Sequence, residues 1–290
     1  MEAARSRIPC PGAGGWAGFG RWALAAMVAA ALLTAGPFAW GDPGPEFPAA
    51  ALQAVHPAGR AALEAAAARD PLEFLRTGLR WHEQKISTYT CRFLRQEWVG
   101  SKLGKAEVTA MKFREQPFSV YMKWTTGPDK GQEIIYAEGM YKNEMVVHPG
   151  GVLGALIRRI GLDPKGETAM KRCRRPITYA GMANQLRVVI PQCEEGVQRG
   201  DLRLEYVGIR EVGGRPAYVV RRTFPEGKGY PCHQLFIYLD LEFLAATRTE
   251  AYDWQGRLVS DYQYTDLRIN PGLTDKDFDP DNRQYGYRVF

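Results

Sequence analysis

Histidine is scarce in this chain: four in 290 residues, at positions 56, 82, 148 and 233, with no two of them four apart. Neither C-x-x-C nor H-E-x-x-H occurs, which removes the common zinc-binding spacings. The G-x-S-x-G elbow, the Walker loop and the G-x-G-x-x-G dinucleotide pattern are also missing, so no hydrolase, nucleotide or nicotinamide signature is present. Charge of one sign is in short supply too. Lys+Arg 38 against Asp+Glu 32 leaves +6, with a pI near 9.0. A dedicated nucleic-acid binder gathers far more charge on one stripe, and no aromatic-interleaved basic run is found. What is there is ordinary globular material, 45% hydrophobic and 24% charged, which excludes a disordered chain or a multi-span membrane protein.

One long apolar run exists. Trp22 to Trp40 carries no charged residue and follows Arg5, Arg7 and Arg21. A basic start, an apolar stretch and the small residues Ala39 and Gly41 read as a secretory signal over 1–41, cleaved after Gly41. The alternative is an uncleaved N-terminal anchor, because about 20 apolar residues span a bilayer. Either reading places the rest of the chain outside the cytoplasm, in the periplasm or cell envelope. Beyond this segment stand Cys91, Cys173, Cys193 and Cys232. An even count in an exported chain predicts at least one disulfide among them, with connectivity left open.

Residues 42–69 pass from Pro- and Gly-rich sequence into an alanine-rich stretch, a linker or weak helix. Asp70-Pro71 then reads as a cap and first turn of a helix to Lys85, with Leu72, Leu75, Leu79 and His82 on one face. From Ser87 the period changes to two. Phe118, Val120, Met122 and Trp124 alternate with Ser119, Tyr121 and Lys123, a half-buried antiparallel strand. Five strands over 88–148 form one meander and five over 202–267 a second. Between them, an insertion at 150–195 carries helices at 150–160 and 180–189 and the basic run Lys171-Arg172-Cys173-Arg174-Arg175. The tail from Asn270 to Tyr287 is expected to be pinned on the sheet. Residues 70–287 are therefore expected to be a single α+β domain with a strongly curved antiparallel sheet.

Three segments resemble the bacterial lipoprotein-localisation carriers of the LolA/LolB type: Ile86 to Phe93, Lys112 to Phe118, and Ile134 to Gly139 with Val147-His148-Pro149. More specifically, Phe113-Arg114 with Pro117 to Trp124, and Asp277-Phe278-Asp279-Pro280 with Asn282, resemble an uncharacterised family of exported bacterial domains, a domain of unknown function. That likeness covers most of 70–287 and brings no activity. The carrier resemblance implies an open half-barrel whose concave face holds acyl chains under a helical lid. It implies further that Arg114 latches that lid, although two extra residues separate it here from Pro117.

The functional expectation is an exported, non-catalytic binding module for a hydrophobic ligand, a lipid or a lipoprotein acyl chain, needing no cofactor and no metal. Its apolar face would be Phe93, Phe118, Val120, Met122 and Trp124. Lys171, Arg172, Arg174 and Arg175 would meet an anionic membrane surface, or else form a solvated loop face. The same apolar residues spell a filled core equally well, which would make the chain a structural or interaction protein of the cell envelope. An enzyme assembled from distant strands is the third reading. Adjacent Cys232 and His233 point to opposite faces of a strand and cannot pair as thiolate and imidazole.

Overall fold

The computed structural model describes residues 59–287, so the signal or anchor expected over 1–41 lies outside the described residues. The alanine-rich stretch forms α1 (Arg60–Arg69), and Asp70 separates it from α2 (Pro71–Lys85). Asp70 caps α2 as its sequence predicts, its carboxylate accepting the Glu73 N–H at 2.9 Å while Pro71 occupies the first turn.

The first meander follows as β1 (Thr88–Val99), the two-residue β2 (Lys102–Leu103), β3 (Glu107–Arg114), β4 (Ser119–Trp124), β5 (Glu133–Ala137) and β6 (Met145–His148). The insertion holds α3 (Gly151–Leu156), β7 (Ile160–Leu162), α4 (Glu167–Met170) and α5 (Met182–Arg199). The second meander is β8 (Arg203–Val212), β9 (Arg215–Thr223), β10 (Gln234–Asp240), β11 (Ala246–Tyr252) and β12 (Leu258–Ile269).

All ladders are antiparallel, in the order β7-β6-β5-β4-β3-β1-β12-β11-β10-β9-β8, with β2 pairing only β1. The first and last strands thus join the two meanders, with Phe93 opposite Tyr264. The α+β class stands. The strong curvature does not: the sheet is open and neither closed nor strongly curled. Apolar packing on both of its faces stabilises it without edge closure.

The core divides along the sheet. Over β9–β11, Phe74 and Leu75 of α2 and Leu186 and Val189 of α5 pack on Tyr218, Val220, Ile237 and Leu239. The second helix of the insertion was expected to end at 189 but continues to Arg199 through Pro191. Its apolar face carries on through Ile190 and Cys193, and that burial outweighs the one hydrogen bond proline removes. Helix α2 rests there as well, and not on β4. Over the other half, Tyr89, Met111, Phe113, Val120 and Met122 form a second cluster with Met182.

On the opposite face the tail is pinned as expected. Phe278, Tyr285 and Tyr287 bury against Tyr121, Ile135 and Val146, and Tyr121 and Tyr285 stack with centroids 4.1 Å apart. Among the described residues no helix is long and apolar enough to cross a membrane.

Candidate functional site

Alternation on β1, β3, β4 and β6 aims Phe93, Thr109, Met122, Trp124 and Val147 to one side of the sheet. There they line a cavity of about 280 Å³. Its far wall is the segment 162–180, which contributes Leu162, Ala169, Ile177 and Ala180. That volume falls just short of the usual span of small-molecule sites, ~300–1,000 Å³.

The polar groups at the cavity are mostly satisfied by one another. Arg95 donates to Glu107 at 2.7 Å, and the Trp124 indole N–H donates to the same carboxylate at 3.1 Å. Glu97 accepts the Tyr262 hydroxyl and the Arg174 backbone N–H. Burial, reinforced by Glu97, pushes the Tyr262 phenol far up, so it acts as a hydrogen-bond donor and not as a base. Arg172 pairs with Asp129, tying the cover to the turn after β4. Apart from Arg175, which lies over the Tyr262 ring, the charges named at this wall are partnered, and apolar side chains make up most of the remaining surface.

Of the five residues expected on the apolar face, Phe93, Met122 and Trp124 line the cavity. Val120 is fully buried in the cluster behind it. Phe118 is spent on edge-to-face contacts with Phe113 and Tyr136, at 5.3 and 5.8 Å. Tyr262 and Tyr264, which the sequence reading missed, come from β12. Their signal was the period-two pattern of the last strand, which had no visible partner until β12 paired with β1.

Three site expectations are corrected. Arg114 does not latch the insertion: it donates to Asp275 at 2.6 Å, Ser119 Oγ at 3.0 Å and the Pro117 carbonyl at 3.2 Å, and lies over the Phe278 ring. β3 ends with Arg114 turned toward the tail, on the side away from the cover.

Nor are the expected lid helices the cover. Residues 182–189 belong to the core helix α5, and Val152 and Leu156 of α3 are 84% and 78% exposed. The 162–180 segment covers the cavity because its few apolar residues face inward, while Arg172 and Arg174 tie it to the turn after β4 and to β1. Lys171 binds Glu167 at 3.0 Å and Arg174 reaches the Trp98 carbonyl at 3.0 Å, while Arg175 lies over the Tyr262 ring.

The third correction concerns the cysteines, all four of which are free. Cys91 faces the sheet cluster on β1, and Cys173 lines the cavity. Cys193 and Cys232 share the other core half, where Cys232 Sγ accepts a hydrogen bond from Arg222. Segregation into separate parts of the core keeps Cys91 from the last two.

The family model described as "Protein of unknown function (DUF1571)" matches residues 86–287. A search among curated proteins finds no match. Among solved structures, MucB is similar at 14% identity and a TM-score of 0.43, over 72% of this chain and 62% of MucB. The chain thus spans less than two thirds of that protein's length. A Pseudomonas aeruginosa MucA/MucB complex is similar at 15% identity and a TM-score of 0.43, over 72% and 61%. Mycobacterium tuberculosis lipoprotein LppX is similar at 11% identity and a TM-score of 0.40, over 69% and 97%. A LolA superfamily protein from Nitrosomonas europaea is similar at 12% identity and a TM-score of 0.28, over 70% and 96%.

Proposed function

The chain belongs to the DUF1571 family, a family of unknown function, and we propose that it is an envelope protein that binds a hydrophobic ligand without transforming it. The ligand is of the lipid or acyl-chain class, and the N-terminal apolar run delivers the domain across the membrane or anchors it there. The observation that carries this reading is the cavity of about 280 Å³ walled by Phe93, Met122 and Trp124 under the 162–180 cover. An apolar recess most of whose neighbouring charges are already paired favours an apolar chain over a wholly polar substrate.

Organic extraction of the purified mature protein, followed by mass spectrometry, tests it directly. Lipid should co-purify, and a fluorescent acyl probe should compete for the same site. Ala169→Trp puts an indole into the cavity from its cover and should abolish probe binding while the fold persists. Wild-type protein that carries no lipid and binds no probe refutes the proposal.

A second reading, an interaction protein of the envelope, draws on the outward-facing Val152, Leu153 and Leu156 of α3. It expects Val152→Ser with Leu156→Ser to leave probe binding intact and to weaken association with a protein partner.

A further inference from the structure

Arg222 is 1% exposed, among the largest fully buried side chains of the protein. It stands on β9 beneath α5, between Leu204 of β8 and Leu235 of β10 in the ladder. Its polar partners are neutral. Nη1 donates to Gln192 Oε1 at 2.6 Å and Nη2 to Cys232 Sγ at 3.2 Å, and the guanidinium lies over the Phe224 ring at 4.6 Å. Nε has no partner at all. No carboxylate among the described residues forms an ion pair with it. Arginine keeps its charge at every accessible pH, so this is a buried cation lacking its counter-charge. Burial pushes the neighbouring Cys193 thiol upward, so that group supplies none near neutral pH.

The guanidinium borders a recess of about 40 Å³, room for one small group. Arg174 and Arg175 stand at the same recess with Arg222, and its lining contains no Asp or Glu. Gln192, Thr249 and Ser260 add neutral hydrogen-bonding groups. A recess bordered by three arginines, one of them buried with an unpartnered Nε, and lined by no acid suits the charge of a phosphate-type oxyanion. Arg175, Gln185 and Tyr262 line both this recess and the apolar cavity. An anionic head in the recess would therefore adjoin a chain in the cavity.

We propose that the recess bordered by Arg222, Arg174 and Arg175 is a binding site for a phosphate-type oxyanion, free or as the head of an amphiphile. The site rests on the unpaired Arg222 and stands whether or not the adjoining cavity takes an apolar chain.

Full-length mature protein is melted in inorganic phosphate and in chloride at matched ionic strength. In parallel, it is titrated with a long-chain monoacyl phosphate and with the neutral monoacylglycerol of equal chain length. Phosphate should raise Tm in a saturable way beyond chloride, or the monoacyl phosphate should bind roughly tenfold tighter than its neutral counterpart. The first result alone assigns a free ion, and the second alone assigns a head group; both support the site. Arg222→Met should abolish the preference. Because that variant removes a core side chain, Arg174→Gln with Arg175→Gln, at the exposed rim, provides the independent check and should weaken the preference about tenfold. A wild-type protein indifferent to phosphate and to head-group charge overturns the proposal, as does a preference unchanged in both variants. Equal binding of both lipids, together with a Tm no higher in phosphate than in chloride, overturns the oxyanion site while leaving the apolar cavity reading intact.

Discussion

The Lys112 ammonium donates to Oδ1 of Asp277 at 2.7 Å, joining residues 165 positions apart. Lys112 leaves the sheet on the face opposite the cavity, beside the rings of Tyr121 and Tyr285. Two positions along β3, Arg114 binds Asp275 and covers Phe278. The two sequence signatures, the one around Phe113-Arg114 and the one around Asp277-Phe278, are therefore the two sides of one clasp. It holds the tail on the sheet and does not touch the apolar cavity.

Asp277 provides the pH test of that clasp. Burial opposes its ionisation, but the bonds from Lys112 and Thr274 outweigh this and hold its carboxyl below the usual range. Such a group contributes stability above its unfolded pKa, about 3.9, and loses the contribution as pH falls through its lower folded value. Asp277→Asn should cost about 1–3 kcal/mol at pH 7 and flatten the acid-side decline. Urea midpoints from pH 7 down to 2.5 measure this; curves for the two proteins running parallel to the lowest pH would sink it.

Arg114→Leu should cost about 1–2 kcal/mol and loosen the tail, with acyl-probe affinity unchanged. Its contacts lie with Asp275, Ser119 and Phe278, none of them at the cavity wall. Denaturant titration alongside probe binding separates the two effects. A variant with full stability and altered probe affinity would restore the latch role.

Gly181 joins the cover to α5 at φ +112, where an added Cβ would lie 2.6 Å from Phe113 Cζ. Gly200 ends the same helix at φ +67 with nothing within 4 Å. Gly181→Ala should then cost about 1–3 kcal/mol and Gly200→Ala about 1, since the second bears only the left-handed backbone penalty. Comparison of the two melting curves checks the order, and a larger loss at Gly200 contradicts it.

Thiol reactivity should follow burial. Cys173, half-buried at the cavity, should label first in the folded protein. Burial pushes the Cys91 and Cys193 thiols up, and both should label only on unfolding. Unfolded, unreduced protein should yield four reactive thiols at Cys91, Cys173, Cys193 and Cys232. Mass spectrometry of timed alkylation reads the sequence of events, and two or fewer reactive thiols would return a disulfide.

Local pattern already placed the elements that pack as expected. Asp70-Pro71 began α2, and period-two alternation placed β4 with Met122 and Trp124 inward and Tyr121 outward. Val120 and Phe118 share that inward face, yet neither reaches the cavity. Periodicity fixes a side chain's direction, whereas the depth of what lies beyond depends on residues far along the chain. The end of α5 was misplaced for a related reason, because Pro191 weakens a helix locally while the buried face of Ile190 and Cys193 sustains it.

By itself the sequence determined the α+β class, the period and facing of most strands and a tail bound to the sheet. Each of these is written in neighbouring residues through spacing, capping and composition. Tertiary structure decided the rest: β12 beside β1, the 162–180 segment as the cover, Arg114 turned to the tail, and Arg222 buried without an acid. These depend on which distant segments meet, and a guanidinium is written identically in sequence whether a carboxylate awaits it or not.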